Sequence, residues 1–367
     1  MKYINIHIKQ FAYYTEKGDN MKSKILIALS VLLSFTVSNN EVQAENIQKG
    51  ITIDIARKSY SLETLKTIVK YIHDHNGQYL QLHFSDDENY AIESEYFDRK
   101  NFSNSYYLTK AEVKSLIEYS NDLNVMIVPD MDFPAHSKAF LSLIKQNDES
   151  LYHEIISDYS DNTLDFFSNH KAVDVTNRQI AEITELFKQP QFAEQQRIVL
   201  GGDEVAGGGA HQKSFIEYMN QIGDYAFQQG YEPQMWNDMV THEGVKSLNN
   251  HYSILYWKQN EDNKSNLTVE DFDKYYFDVY NYNYYSLYFL PSKKFSQEDI
   301  KEQADYIGWA YAYNKFYYNK NPYNEVKRQN VKGSALSFWG EHATDMTQEE
   351  LINQEIPLIK AYFNIKK

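Results

Sequence analysis

From about residue 50 onward, short runs of β-branched and aromatic residues alternate with longer stretches whose apolar residues recur at helical spacing. This is the pattern of βα units around a parallel sheet, and the number of units decides which sheet. Candidate strands fall at 51–55, 79–84, 125–128, 197–200, 233–236, 254–257, 277–282 and 335–339. Helix-like stretches lie between them, among them 61–73, 110–121, 177–188 and 212–229, and a last one at 348–363 closes the ring. "SLE" and "TKAE" set a serine or threonine and an acid near helix starts. Eight such units in roughly 300 residues fit a single (β/α)8 TIM barrel, typically about 250 residues before insertions. The stretch between Met131 and Asn177 reads as an excursion above the third strand. No internal repeat, proline-rich linker or low-complexity tract divides the chain after residue 45, so 45–367 is expected to be one barrel domain.

The start of the chain has a different character. "MKSKILIALSVLLSFTVSNNEVQAEN" opens at Met21 with Lys22 and Lys24, continues through an apolar run at 25–37, and ends with Val42 and Ala44 in a small-residue cleavage pattern. Residues 21–44 are expected to be a secretory signal peptide, with 1–20 an upstream extension of the reading frame, and the product to be secreted. The apolar run is short for a membrane span. The absence of cysteine excludes disulfides, thiolate zinc sites and cysteine nucleophiles. A formal charge of −15 argues against a nucleic-acid partner, because phosphate binding needs basic patches.

In a barrel of this kind chemistry sits at the carboxyl ends of the strands. The first strand is followed by Arg57, the second by "HFSDDENY" with His83, Asp86 and Asp87, the third by "VPDMDFPAHS" with Asp132 and His136. The fourth ends in "GGDE", the fifth in "MWND", the sixth in "YW", the seventh in "YNYNYYSLY" and the eighth in "SFWGEH". Three of the four tryptophans stand at these ends, which describes an aromatic pocket rimmed with acids and one arginine. His83, Asp86, Asp87 and His136 lack the spacing of a helical metal motif such as H-E-x-x-H.

In this order the motifs "DIAR", "LHFSDDENYAIES", "GGDE", "MWND", "NYN" and "ALSFWGE" resemble the glycoside hydrolase family 20 β-N-acetylhexosaminidases. They are most similar to the secreted single-barrel members that degrade the β-1,6-linked poly-N-acetylglucosamine of biofilms. The resemblance runs from about residue 50 to 365. It implies substrate-assisted hydrolysis with retention, no metal or other cofactor, an N-acetylglucosamine-containing polysaccharide as partner, and a chain acting as a monomer.

It also implies roles. Glu204 is the general acid and then base, Asp203 orients the substrate's acetamido group and steadies the oxazolinium charge, and Tyr288 donates a hydrogen bond to the acetamide carbonyl. Trp236, Trp257 and Trp339 box the N-acetyl methyl and stack on the sugar. Arg57 and Glu341 grip sugar hydroxyls, with Asp238 supporting them, and Asp86 and His136 form the pair behind Glu204. Consecutive carboxylates can serve different atoms because side chains alternate along an extended backbone. Two departures stand out. Val199 occupies the place of the histidine in the family's H-x-G-G-D-E, and Gly207 that of a tyrosine in the similar single-barrel enzymes. Trp309 lies outside any strand end, open to either outer sugar binding or packing.

Overall fold

The computed structural model describes residues 47–98, 106–257, 267–318, 321–325 and 331–365; the expected extension at 1–20 and leader at 21–44 lie outside the described residues. Seven strands follow one another, each parallel to and paired with its predecessor: β1 (Gln48–Asp54), β2 (Tyr79–His83), β3 (Met126–Phe133), β4 (Arg197–Gly201), β5 (Glu232–Trp236), β6 (Ser253–Tyr256) and β7 (Val279–Asn281). Three short strands intervene, β8 (Tyr288–Phe289), β9 (Lys315–Tyr318) and β10 (Asn321–Glu325). Then β11 (Val331–Phe338) pairs in parallel with both β7 and β1 and closes the expected eight-stranded (β/α)8 barrel.

Period-two alternation along the strands divides the apolar residues into two clusters. Leu80, Leu82, Ile127, Ile198, Leu200, Met235, Ile254, Val279 and Leu336 belong to the large core shared with the helices. Their sequence neighbours Tyr79, Val128, Val199, Trp236, Leu255, Tyr280 and Ala335 form a smaller cluster inside the barrel. The inward phase also carries polar residues: Thr52 and Asp54 on β1, Gln81 and His83 on β2, Asp130 and Asp132 on β3, Arg197 on β4, all buried. The same alternation that seals the outside of the barrel lines its inside with charge.

The helices are α1 (Leu62–Asp74), α2 (Lys110–Asp122), α3 (Lys138–Asn147), α4 (Glu149–Ile155), α5 (His170–Leu186), α6 (Gln212–Gln228), α7 (Val269–Lys274), α8 (Tyr284–Leu287), α9 (Gln297–Ala310) and α10 (Gln348–Phe363). Ser61 caps α1 by accepting from the Thr64 amide, and Leu65, Ile68, Val69 and Ile72 give it a buried stripe. Thr109 and Glu112 form a reciprocal capping box on α2. Among the described residues no helix is long and apolar enough to cross a membrane.

Several elements differ from the sequence reading. The excursion after β3 contains α3 and α4, and α5 begins at His170 rather than 177 because the Asn169 side chain caps the Lys171 and Ala172 amides. Helix α9 was readable from "SQED", whose Ser296 and Asp299 make a capping box. The β9–β10 hairpin pairs only with itself, outside the barrel sheet.

Candidate active site

A cavity of about 210 Å³ opens at the carboxyl ends of the strands, and every expected site residue except Asp238 lines it. His83, Asp132 and Leu290 complete its wall.

The fourth strand turns into its loop through two glycines with φ of 80° and 92°. At Gly201 a Cβ would stand 2.1 Å from Asp132 Oδ1, so the glycine both permits the left-handed turn and makes room for an acid. The next two residues part company. Asp203 Oδ1 is shut away from solvent, whereas the Glu204 side chain is 48% exposed, with Oε2 3.8 Å from His136 Nε2. Glu204 itself holds a left-handed φ of 47°, uncommon for a residue with a side chain, and His136 opposite it has a φ of 49°. Asp238 Oδ2 accepts from the Glu204 amide at 3.1 Å.

Behind these acids stands a dense set of ion pairs. Arg57 reaches Asp54 at 3.0 Å, Asp86 at 2.5 Å and Glu88 at 3.4 Å. Burial works against its charge, but Asp54, Asp86 and Glu341 outweigh it and lift its pKa above the ordinary range. Burial likewise penalises the Asp86 carboxylate, yet His136, His83 and Arg57 hold it well below the usual range. His136 Nδ1 lies 3.7 Å from both Asp86 and Asp87; burial disfavours its charge, and Asp132, Asp86, Asp87 and Asp203 raise its pKa far above neutrality. Asp132 is pushed well above the carboxylate range by burial and by the Asp203 charge. Burial also raises Asp203, opposed by the charge of His136. Three triads, His83–Asp86–Asp132, Asp86–Asp87–His136 and Asp132–His136–Asp203, hold possible ligand atoms within 4.8 Å of one another. Arg57 sets a guanidinium cation into this cluster of acids, with the two imidazoles beside it.

The aromatic wall is continuous. Trp257 and Tyr288 stack at 5.9 Å with planes 1° apart, Tyr288 meets Trp339 at 5.4 Å, and Trp339 meets Trp236 at 6.2 Å. Burial, then the charges of Asp203 and Asp238, push the Tyr288 phenol well above its usual pKa, so it remains a hydrogen-bond donor. Asp238 stands behind this wall: its Oδ1 accepts from Trp257 Nε1 at 3.0 Å, while neighbouring Asn237 accepts from the Trp257 amide at 2.8 Å. The end of β5 therefore fixes the tryptophan at the end of β6.

The remaining sequence features find places. Val199 is fully buried in the cluster inside the barrel, an apolar filling of the position where the family has histidine. Gly207 has a φ of 80°, and a Cβ there would meet the Tyr159 ring at 3.0 Å, so a tyrosine from the excursion after β3 lies against it. Trp309 is on α9, 58% exposed, beside Tyr306. Asp54 and Asp130 drew no attention in the sequence; their signal was the inward phase of the strands, legible once the register is known. The Asp54 carboxylate accepts from the amides of Ala56, Arg57 and Gly340, tying the first strand end to the last.

Residues 48–353 match the family model described as glycosyl hydrolase family 20, catalytic domain. A β-hexosaminidase subunit beta of Entamoeba histolytica is 23% identical over 346 residues, covering 86% of this chain; the chain spans 58% of that relative's length. Among solved structures, Dispersin B superposes with a TM-score of 0.78 at 24% identity, covering 87% of this chain and 99% of its own. A catalytic module of the pneumococcal exo-β-D-N-acetylglucosaminidase StrH gives a TM-score of 0.72 at 20% identity, covering 89% and 85%. At these identities the structural likeness speaks to the fold.

Proposed function

The chain belongs to glycosyl hydrolase family 20, and from that premise we propose that it is a secreted, monomeric, retaining β-N-acetylhexosaminidase that hydrolyses β-1,6-linked poly-N-acetylglucosamine. The observation that carries the chemistry is the divergence of two consecutive carboxylates, Asp203 with an oxygen closed off from solvent and Glu204 open beside His136. Family 20 uses the substrate's own acetamido oxygen as nucleophile. Glu204 gives its proton to the glycosidic oxygen as the C1–O bond breaks. The acetamido oxygen closes on C1, forming an oxazolinium ion whose positive charge Asp203 faces. Tyr288 donates to the acetamide carbonyl and holds it in line. Water then attacks C1, passing a proton to Glu204, and two inversions leave the configuration retained.

Arg57, Glu341, Trp236, Trp257 and Trp339 line the cavity; in this reading the first two take the hydroxyls of the sugar and the tryptophans offer flat faces to its C–H side. Support for the polymer as substrate is the sequence resemblance carried by "LHFSDDENYAIES", "GGDE", "MWND" and "ALSFWGE". Export follows from the leader-like segment at 21–44. A second reading, hydrolysis of chitobiose or glycan ends, is favoured by the β-hexosaminidase and exo-N-acetylglucosaminidase relatives.

Turnover of an aryl N-acetylglucosaminide should fall by about a hundredfold or more in Glu204→Gln, a leaving-group proton donor lost, and Asp203→Ala should also lose most activity. Equal rates for wild type and Glu204→Gln would sink the acid assignment. Sugar release from purified 1,6-linked polymer and from chitin oligomers separates the substrates, and activity on chitobiose alone would leave the second reading standing.

A further inference from the structure

Strand register brings three ionisable residues to one level inside the barrel: Asp54 on β1 opposite His83 on β2, and His83 opposite Asp130 on β3. His83 is fully buried. Its Nε2 lies 3.0 Å from Asp86 Oδ2 and its Nδ1 3.2 Å from Asp130 Oδ2. The second contact is within ion-pairing distance but lacks the alignment of a hydrogen bond. An ionised carboxylate can only accept, and a neutral imidazole has one nitrogen that can only accept. Two carboxylates on two ring nitrogens therefore set lone pair against lone pair, unless the ring carries both protons or an acid carries one.

We propose that His83 is a positioning residue holding a permanent positive charge, an imidazolium clamped by Asp86 and Asp130 that keeps Asp86 ionised and in place. One carboxylate then serves two ends of the reaction, since Asp86 Oδ2 also receives Arg57 at 2.5 Å and its Oδ1 faces His136 at 3.7 Å. Arg57 is placed to grip the sugar, and His136 touches Glu204. The titratable groups around the ring are Asp54 and Arg57 from β1 and its turn, Asp86 after β2, Asp130 and Asp132 on β3, and His136 beyond it. From the end of β11, Trp339 meets the ring edge-on at 5.2 Å. Burial opposes the charge on His83, but Asp130 and Asp86 raise its pKa well above neutrality. Because His136 is partly open and more loosely held, the two histidines divide the work: His136 faces the acid and His83 fixes the carboxylate behind it.

The catalytic consequence rests on the proposed role of Glu204, whereas the protonation state of His83 can be measured without any turnover. In the whole chain labelled with 15N-histidine, the His83 signal should keep both ring nitrogens protonated between about pH 5 and 9, where an ordinary imidazole titrates. That signal should vanish in His83→Gln and shift in Asp130→Asn, which identifies it even if the first variant does not fold. A bare nitrogen on His83 at neutral pH, with the proton on Asp130 or Asp86, would overturn the proposal.

In turnover, His83→Gln should lower kcat/KM by about ten- to a hundredfold through misplacement of Arg57 and His136. It should also move the basic limb of the pH profile upward, because a carboxyl that loses a nearby cation holds its proton longer. His83→Gln combined with Asp130→Asn removes one charge of each sign and should bring the limb back. A loss of rate with no movement of the limb would mean that His83 only fills space. Wild-type protein inactive on N-acetylglucosaminides would break the functional reading while leaving the imidazolium measurement intact.

Discussion

Arg57, mostly buried at the mouth of the barrel, and Arg197, fully buried at its floor, are both guanidinium groups set against aromatic rings, but they are held in opposite ways. Arg57 has Asp54, Asp86 and Glu88 within 3.4 Å and lies 5.8 Å from the Trp339 ring centre. Arg197, the first residue of β4, is sandwiched between Tyr79 at 4.4 Å and Tyr280 at 4.8 Å, and its three side-chain nitrogens find no aligned hydrogen-bond partner among the described residues. A charge surrounded by acids and facing a cavity can exchange part of its pairing for a ligand's hydroxyls. A charge clasped between two rings has nothing to exchange and serves the packing of the barrel. Burial of charge therefore marks function only where partners and solvent access come with it.

The sharpest way to break this contrast is at Arg57. Arg57→Lys keeps the charge but loses the planar fork shared among several carboxylates, and kcat/KM on an aryl N-acetylglucosaminide should fall by about ten- to a hundredfold. A rise in KM would carry most of the loss if Arg57 grips the sugar in the ground state. Little change would mean that the acids around it, rather than Arg57, organise the mouth.

Asp238→Asn tests the wall of the same region more gently. Its carboxylate accepts from both the Glu204 amide and Trp257 Nε1, and an amide has one oxygen to offer where a carboxylate has two. About a tenfold fall in kcat/KM is expected, on the order of one charge-assisted hydrogen bond. Altered Trp257 fluorescence should accompany it.

The floor should respond in stability and not in rate. Arg197→Met, which keeps length and discards the charge, should leave kcat/KM unchanged and stabilise the fold by about 1 kcal/mol, because a well-packed apolar replacement of a buried ion avoids desolvation. Arg197→Ala opens the space between the rings and should destabilise by about 3 kcal/mol. Thermal and urea unfolding of the pair separate charge from volume. A large loss of activity in Arg197→Met would mean that the floor is coupled to the mouth.

Glu355 on α10, outside the barrel, gives a milder case. It accepts from the Tyr60 hydroxyl, its other oxygen is unpartnered, and burial raises its pKa from 4.5 to about 7, against the pull of that hydrogen bond. A carboxyl with a raised folded-state pKa binds its proton more tightly when folded, so stability is lost as pH rises from about 4.5 through about 7. Glu355→Gln should flatten that part of the stability profile, gaining up to about 3 kcal/mol relative to wild type near pH 8. An unchanged profile would show that Glu355 is ionised at no cost.

How much of this was legible in advance follows from the range of the interactions. The fold could be read because its signal is local and repeated: β-rich runs alternate with amphipathic segments, and the strand ends collect Arg57, Asp86, His136, Asp203, Glu204 and three tryptophans. The start of α5 was misplaced because an asparagine cap eight residues upstream of the expected start decided it. Asp54 and Asp130 were passed over because nothing in "TID" or "VPD" distinguishes an acid facing the barrel interior from one at its rim.

The sequence by itself determined the barrel, the level at which chemistry occurs and the pair of unlike carboxylates, since each depends on residue type and spacing along one strand or turn. Only the tertiary structure decided which charges meet. His83 lies between Asp86 and Asp130 because β2 and β3 pair in one register. Asp238 supports Trp257 because β5 and β6 end side by side. Arg197 lies between rings from β2 and β7 because the barrel closes. Electrostatic partnership depends on distances across strands, and those distances exist only once the sheet has closed on itself.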